Sequence, residues 1–447
     1  MVGGGFAGLA AAIELQERRH EVLLLERRGV LGGRATSYRD AASGEDVDNG
    51  THLMIAAYAA TLGLLRRASA EDLLLVQDRL RIDYVDERGP TTLDCPPLAA
   101  PLHLFAGLLG LRLPWRVRWQ AVRMGLAIRF GRPPRGLSLA EYFRRTGQGP
   151  EARRLLWDPL STAVLNETPE RAAAVLFYHV YRLAFLASHD ASRLVFLRRG
   201  FGALHDRLAA YFEGRGGTLR RRALATAVAL DAGRAAAVEY QQRAETRDEI
   251  RAGKGATSRR AEADAVVLAV PWSGVAGLLP EDWGAREPFA SLGRLGGSPI
   301  VSIEMWLDRV VVDKPMVGLR GHEIEWVFDK GRLHGRSGAP QHLAFIVSAA
   351  RRSAPRPNAE LAAAAEDALR RFFPAMSGAR VLRSLVMREA QATFACGPEA
   401  EALRPGPVTP VPGLFLAGDY TDTGLPATIE GAVRSGLAAA AAVERLA

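Results

Sequence analysis

Met1-Val2-Gly3-Gly4-Gly5-Phe6-Ala7-Gly8 opens the chain, and its reading decides the fold class. The next run, Leu9-Ala10-Ala11-Ala12-Ile13-Glu14-Leu15, is helical in periodicity, so the glycines read as a turn feeding a helix. His20-Glu21-Val22-Leu23-Leu24-Leu25-Glu26 then supplies a short apolar run suited to a buried parallel strand. Turn, helix and strand make most of a βαβ unit. Gly3-x-Gly5-x-x-Gly8 is the dinucleotide fingerprint: Gly3 permits the tight turn, Gly5 lets backbone approach a pyrophosphate, and Gly8 lets the helix pack closely. The helix start at Phe6 and Ala7 offers unsatisfied N–H groups to phosphate. Glu26 stands about 20 residues on, where a carboxylate takes ribose hydroxyls. Such a fold uses about four or five apolar residues before the first glycine, and only two precede Gly3. A start site placed too late, or a shortened chain, would account for the difference.

The chain has 447 residues, enough for two or three domains and a substantial core. Apolar residues make up 48% and charged residues 24%, which excludes collagen, coiled coil and wholesale disorder. Cys95 and Cys396 have no partner at metal-ligand spacing, so neither a zinc site nor a disulfide scaffold is expected. Few cysteines fit a reducing compartment. The net charge is +9, and only Lys254, Lys314 and Lys330 among the 58 basic residues are lysines. GC-rich coding explains part of that arginine excess; attraction to an anionic surface is the sharper reading. The chain opens on glycines, so no signal peptide is expected, and no run of about 18 apolar residues predicts a membrane-spanning helix.

Further along, Ser138 reads as a helix start within a largely helical stretch, 137–190. Residues 218–240 read as strands about a turn at Asp231-Ala232-Gly233, and 241–262 as an exposed polar loop. Asp264-Ala265-Val266-Val267-Leu268-Ala269-Val270-Pro271 is another buried strand. Strand alternation fills 298–349, an alanine-rich helix spans 358–373, and 427–446 is the closing helix. Between 96 and 136 an apolar stretch is followed by Arg112, Arg116, Arg118, Arg123, Arg129, Arg132 and Arg135 with no acidic residue among them. Trp115, Trp119, Met124, Leu126, Ile128 and Phe130 are interleaved. This segment reads either as a solvated helix face or as a monotopic contact with anionic headgroups. No nucleic-acid reader motif is present, so nucleic acid is not an expected partner.

Two more elements extend the fingerprint. Leu31-Gly32-Gly33-Arg34-Ala35-Thr36 suits a second backbone approach to a diphosphate, with Arg34 supplying charge. Leu416-Ala417-Gly418-Asp419 supplies another strand end bearing a carboxylate. The trio resembles the FAD-binding pattern of the amine oxidase and phytoene desaturase superfamily. Asp48-Asn49-Gly50-Thr51-His52, Trp157-Asp158-Pro159-Leu160, Asn166-Glu167-Thr168-Pro169-Glu170, Trp306-Leu307-Asp308-Arg309 and the stretch Gly413–Gly436 are similar to the bacterial hydroxysqualene dehydroxylases within it. Carotenoid desaturases share the Gly-Asp core but not Asp422-Thr423-Gly424-Leu425-Pro426.

The resemblance implies a Rossmann-type α/β FAD-binding domain built from 1–60, 195–275 and 385–447. A discontinuous α+β substrate domain would take 61–194 and 276–384. It implies FAD contacts at Gly3, Gly5, Phe6, Ala7, Gly8, Glu26, Arg27, Gly32, Gly33, Arg34, Gly50, Thr51, His52, Ala225, Gly418, Asp419, Ala427 and Thr428. A helix start near Ala427 and Thr428 would turn its positive dipole toward the flavin and favour the anionic reduced form. The implied reaction converts hydroxysqualene to squalene: the allylic hydroxyl leaves as water and reduced flavin returns a hydride. That chemistry needs a proton donor and exclusion of water. His52, Asp422 and Tyr420 are the candidates for the donor. Only one dinucleotide fingerprint occurs, so an external electron donor is expected. The implied location is cytoplasmic, on the inner face of the cell membrane. A carotenoid-type desaturase is the rival enzyme, and a flavin-poor membrane scaffold the rival of another class.

Overall fold

The computed structural model describes residues 1–244 and 255–446. Its first layer is a parallel sheet. β1 (Leu23–Leu25) pairs with β9 (Thr218–Arg220), and β13 (Val266–Leu268) with β19 (Leu414–Leu416). Val2 joins the two pairs, with a parallel bridge to Leu25 on one side and to Leu268 on the other. Its N–H donates to Val267 O at 2.9 Å and its carbonyl accepts from Ala269 N at 2.7 Å. The short opening therefore still fills the central place of the sheet, one bridge wide on each side.

Helix α1 (Phe6–Glu17) leaves that point and is buried along nearly its whole length. A helix apolar all round must be covered on all sides. Here α6 (Phe201–Glu213) and the closing helix α8 (Ile429–Glu444) cover it, within one apolar cluster. The approach of α8 requires glycine: a Cβ on Gly436 would come 2.2 Å from Ala7 O.

The second layer is a seven-stranded sheet of order β18 (Val381–Phe394), β14 (Gly297–Leu307), β17 (Gln341–Val347), β16 (Trp326–Asp329), β15 (Met316–Leu319), β6 (Arg81–Asp86) and β7 (Gly89–Asp94). All neighbours are antiparallel except β15 and β6. Helix α7 (Asn358–Phe372) lays Leu361, Ala365, Ala368, Leu369 and Phe372 into the core beside this sheet. Smaller sheets join the layers: β4 (Met54–Ile55) and β5 (Leu74–Val76) flank β8 (Leu194–Leu197), and β2 (Ser37–Arg39) pairs with β3 (Asp46–Asp48).

A three-stranded meander, β10 (Ala223–Asp231), β11 (Arg234–Gln242) and β12 (Thr257–Glu262), corrects one expectation. The polar stretch 241–262 is not one loop. Thr257–Glu262 pairs with β11, and as an edge strand it stays largely exposed, which is why its sequence carries no apolar alternation. Residues 245–254 of that stretch lie outside the described residues. The expected turn is a tight hairpin with Ala232 and Gly233 both at positive φ.

Helix α2 (Ala59–Arg67) and β5 contribute Leu64, Leu65 and Leu74 to the cluster around α1. We therefore propose that the first stretch of the FAD-binding domain runs to about Val76 rather than to 60. Among the described residues no helix is long and apolar enough to cross a membrane.

Candidate active site

Three glycine turns meet where the parallel strands end. Gly3 has φ +107°, and a Cβ there would sit 2.5 Å from Ala269 O. A Cβ on Gly8 would lie 1.9 Å from Gly3 O, so the first turn of α1 closes only without a side chain. Gly5, the N-cap of α1, is different: the nearest atom to a Cβ there is Gly32 O at 3.9 Å. Its side faces open space bounded by the second glycine turn. Gly32 N donates to Gly4 O at 2.9 Å, and a Cβ on Gly33 would lie 3.7 Å from Gly5 Cα. The first N–H groups of α1 thus open on a cradle with two glycine walls, the arrangement that accepts a diphosphate.

Glu26 follows β1 and is buried. One carboxylate oxygen accepts from Gly4 N at 2.8 Å and the other from Arg28 N at 2.8 Å. A carboxylate has about four acceptor positions, so capacity remains for ribose hydroxyls. Arg27 beside it is exposed. Ala223 N donates to Glu26 O at 2.8 Å, which brings the start of β10, and with it half-buried Ala225, alongside.

Arg34 pairs with Asp419, so the second and third motifs touch through side chains. Its guanidinium also lies over the Trp272 ring, 5.2 Å from the centroid. Asn49 clamps this loop by donating to Arg34 O at 2.8 Å and accepting from Thr36 N at 3.1 Å. Phe6 is buried, its ring against His205 at 4.6 Å and Phe201 at 6.2 Å, so only its backbone is available to a phosphate. Gly418 N donates to Ser435 Oγ at 2.9 Å, which ties the last motif to α8. Thr428 caps α8 by accepting from Gly431 N at 3.0 Å, and Ala427 precedes it half-buried.

Gly50, Thr51 and His52 follow β3. Thr51 Oγ is buried without a hydrogen-bond partner among the described residues, an orphan that a bound ligand would satisfy. His52 Nδ1 donates to Gly50 O at 2.8 Å, and its ring stands edge-on to Phe201 at 5.1 Å. Burial holds its pKa below the usual histidine value. The ring is therefore neutral, with the proton on Nδ1 and a lone pair on Nε2.

The other two donor candidates sit apart in character. Asp422 is exposed and accepts from Gly424 N at 3.3 Å; Thr428, not Asp422, caps the closing helix. Tyr420 is fully buried, and its hydroxyl has no partner among the described residues. Burial raises its pKa far above the phenol range.

Several residues here are not among the candidates read from the sequence. His205 donates from Nε2 to Ala35 O at 2.8 Å and packs where a Cβ on Gly32 would sit, so it fixes the second glycine turn. Arg404 donates to the carbonyls of Asp419, Tyr420 and Thr421. Glu430 is completely buried and accepts from Ala60 N, Thr61 N and Thr61 Oγ, capping α2 from α8. His179 Nδ1 donates to Gly424 O at 2.7 Å. Lys330 Nζ reaches Asp48 at 2.7 Å with both groups buried, across the two layers. Among the described residues no group of acidic, histidine or cysteine side chains could hold a metal ion.

The family model for flavin-containing amine oxidoreductases matches residues 6–444. The chain belongs to that family. A hydroxysqualene dehydroxylase of Sinorhizobium fredii is 30% identical, covering 98% of this chain and 96% of its own length. One from Rhodopseudomonas palustris is 31% identical over 98% and 96%. A probable zeta-carotene desaturase of Synechococcus elongatus is 26% identical over 99% and 98%. Among solved structures, an oxidoreductase from Methanosarcina mazei superposes with a TM-score of 0.73 at 17% identity, over 98% of both chains. A putrescine oxidase does so at 0.69 and 16%, over 100% and 98%. These likenesses establish the FAD-binding oxidoreductase fold. The chain is an FAD-dependent oxidoreductase. The cradle at Gly5, the buried Glu26 and the orphan Thr51 hydroxyl fit that cofactor.

Proposed function

We propose that the protein reductively dehydroxylates hydroxysqualene to squalene. The observation that carries this reading is the likeness to two hydroxysqualene dehydroxylases at 30% and 31% identity over 98% of the chain. In the balanced reaction hydroxysqualene takes two electrons and two protons and gives squalene and water: the C–O bond breaks and a C–H bond forms. FAD, when bound and reduced, supplies the hydride equivalent. Gly3, Gly5, Gly8, Gly32, Gly33 and Arg34 would hold its diphosphate, Glu26 its ribose, and Thr51, Gly418, Asp419 and the α8 start the flavin end.

The chain itself must exclude water and deliver one proton. Leu425, Val180 and Ala184 form an apolar cluster with Ile55, Val164, Leu183 and Phe185 beside the Asp422–Pro426 loop. These packed side chains keep that flank of the loop apolar and free of water, as a carbocation requires. His52 Nε2 carries a lone pair at neutral pH, so it accepts a proton before it can give one. Electrons would come from an external donor, because only one dinucleotide fingerprint is present.

An anaerobic single turnover tests the reading. The FAD-loaded protein is photoreduced, given hydroxysqualene, and its lipid extracted while flavin reoxidation is followed. Squalene in step with reoxidation is the expected result. Retained flavin with no squalene, but dehydrogenation of a polyene by the oxidised protein, would transfer the assignment to the desaturases.

A further inference from the structure

Helix α3 (Leu102–Gly110) and helix α4 (Trp115–Phe130) form an outer platform whose apolar residues are split between two opposite faces. On α4, Val117, Ala121, Met124 and Ile128 are buried. At about 100° per residue they fall within a stripe roughly 60° wide. That stripe accounts for the packing of α4 and would be sufficient for it. Yet Trp115 is 72% exposed, Trp119 61%, Leu126 47% and Phe130 81%. These four fall on a second stripe, also about 60° wide and nearly opposite the first. On α3, Leu102 and Leu109 are 55% and 64% exposed and lie two turns apart on one face. Scattered exposed apolar residues are ordinary; two tryptophans and a phenylalanine aligned on one helix face are not.

The charges are arranged around that stripe. Exposed Arg123 and Arg116 border it on one side and exposed Arg129 on the other, while half-buried Arg118 turns back to donate to Leu109 O and Leu111 O. No acidic residue occurs between Asp94 and Glu141, a span that holds seven arginines. An apolar stripe with tryptophans, edged on both sides by cations and free of acids, matches the boundary between headgroups and acyl chains of an anionic bilayer. Duplex nucleic acid would match the arginines but not the aromatic stripe. A second copy of the chain would bring seven more arginines to the same surface, and like charges would face one another.

We propose that the exposed face of α3 and α4 docks the protein on an anionic lipid bilayer, with Trp115, Trp119, Leu126 and Phe130 in the acyl boundary and the flanking arginines on the headgroups. The inference does not rest on the identity of the reaction. It does place the bilayer close to the site: Leu104 on the inner side of α3 joins a cluster with Phe185, and Phe185 also packs beside Leu425.

Flotation of the FAD-loaded full chain with vesicles tests the proposal. One set is phosphatidylcholine alone, the other contains about one quarter phosphatidylglycerol. Binding to the anionic set is expected, with at least tenfold less on the neutral set. Trp119→Ser with Phe130→Ser should reduce binding at least tenfold. Arg116→Gln with Arg123→Gln should weaken it and flatten its salt dependence. Flavin absorbance and melting temperature should stay unchanged in all variants, because none of these side chains packs in the core. Lipids brominated near the headgroup end of the acyl chain should quench the tryptophan fluorescence of the wild type. No flotation with anionic vesicles at low salt would overturn the proposal. So would flotation that the variants leave intact, or a concentration-dependent dimer abolished by the same variants.

Discussion

Around the cofactor cradle, the site is shaped by backbone and by missing side chains; between the cradle and the seven-stranded sheet, it is shaped by buried charges. In the first region Gly3, Gly8, Gly32 and Gly436 permit contacts that any Cβ would block, and the polar work falls to N–H groups. In the second, Asp48 meets Lys330, and His342 lies between Glu304 at 2.7 Å and Glu45 at 3.0 Å, stacked on Trp306. The difference teaches where a sequence is readable. A glycine that must be glycine leaves a fixed spacing. A buried ion pair brings together residues hundreds of positions apart and leaves none.

The largest expected effects test the first region. Gly8→Ala puts a methyl 1.9 Å from Gly3 O and should abolish flavin loading along with much of the stability, read as colourless protein of low melting temperature. Gly5→Ala should separate the two consequences. Its methyl meets nothing closer than 3.9 Å within the chain, so the apoprotein should melt within a few degrees of wild type. The methyl would project into the diphosphate cradle, and FAD affinity should fall at least tenfold. Equal losses in both variants would mean that the cradle is structural throughout.

The second region should break by a different rule. Lys330→Met leaves the Asp48 carboxylate buried without its cation, a change that costs about 3–5 kcal/mol. Burial works to raise the Asp48 pKa, but Lys330 and the donors Ser37 and Phe201 outweigh it and hold it low. Asp48→Asn combined with Lys330→Met should recover part of the loss. Urea unfolding of the single and double variants measures the coupling directly. If the double variant is no better than the single, the pair is not the element joining the layers.

This contrast also explains what was legible. The fingerprint, Glu26, Gly32-Gly33-Arg34 and Gly418-Asp419 announced themselves because backbone geometry demands particular residues at particular offsets. The strands β14 to β17 of the large sheet and the closing helix followed from periodicity, whereas β6, β7 and β18 of the same sheet carried no such reading. Thr257–Glu262 did not, since an exposed edge strand need not alternate. His205 and Arg404 were invisible for another reason: each satisfies backbone groups of a distant loop, and one histidine or arginine looks like any other in sequence, while Glu430 lay within the Gly413–Gly436 resemblance but its capping of a distant helix left no signal. Lys330 carried the faintest signal, as one of three lysines in an arginine-rich chain.

Two buried histidines should give the regions opposite pH responses. His205, beside the cradle, has its pKa lowered by burial to about 4. A histidine whose folded pKa lies below its unfolded value contributes stability that is full above about pH 6.5 and is lost as pH falls toward 4, at most about 3 kcal/mol. For His342, burial lowers the pKa but hydrogen bonds to Glu304 and Glu45 outweigh it, and the net direction is upward. Its contribution is full below about pH 6.5 and is lost as pH rises through the folded value. Unfolding free energies measured across pH should show His205→Gln removing the acid-side decline and His342→Gln the alkaline-side one. Identical profiles for the two variants would erase the electrostatic half of the comparison.

The smallest effect belongs to Tyr420→Phe, and it decides how far the backbone rule extends into the chemistry. The Tyr420 ring packs against Gly418, and its buried hydroxyl has no partner among the described residues. Removing a buried hydroxyl that makes no hydrogen bond should change stability by less than about 1 kcal/mol, and in the favourable direction. A phenol whose pKa is raised by burial holds its proton too tightly to lose it cheaply in a neutral-pH turnover. The variant should therefore bind FAD and, in the hydroxysqualene assay proposed above, reoxidise its flavin at the wild-type single-turnover rate. A hundredfold slower turnover with unchanged flavin spectrum and melting temperature would place the proton on Tyr420. The apolar ring packed on the glycine turn would then be acid as well as spacer.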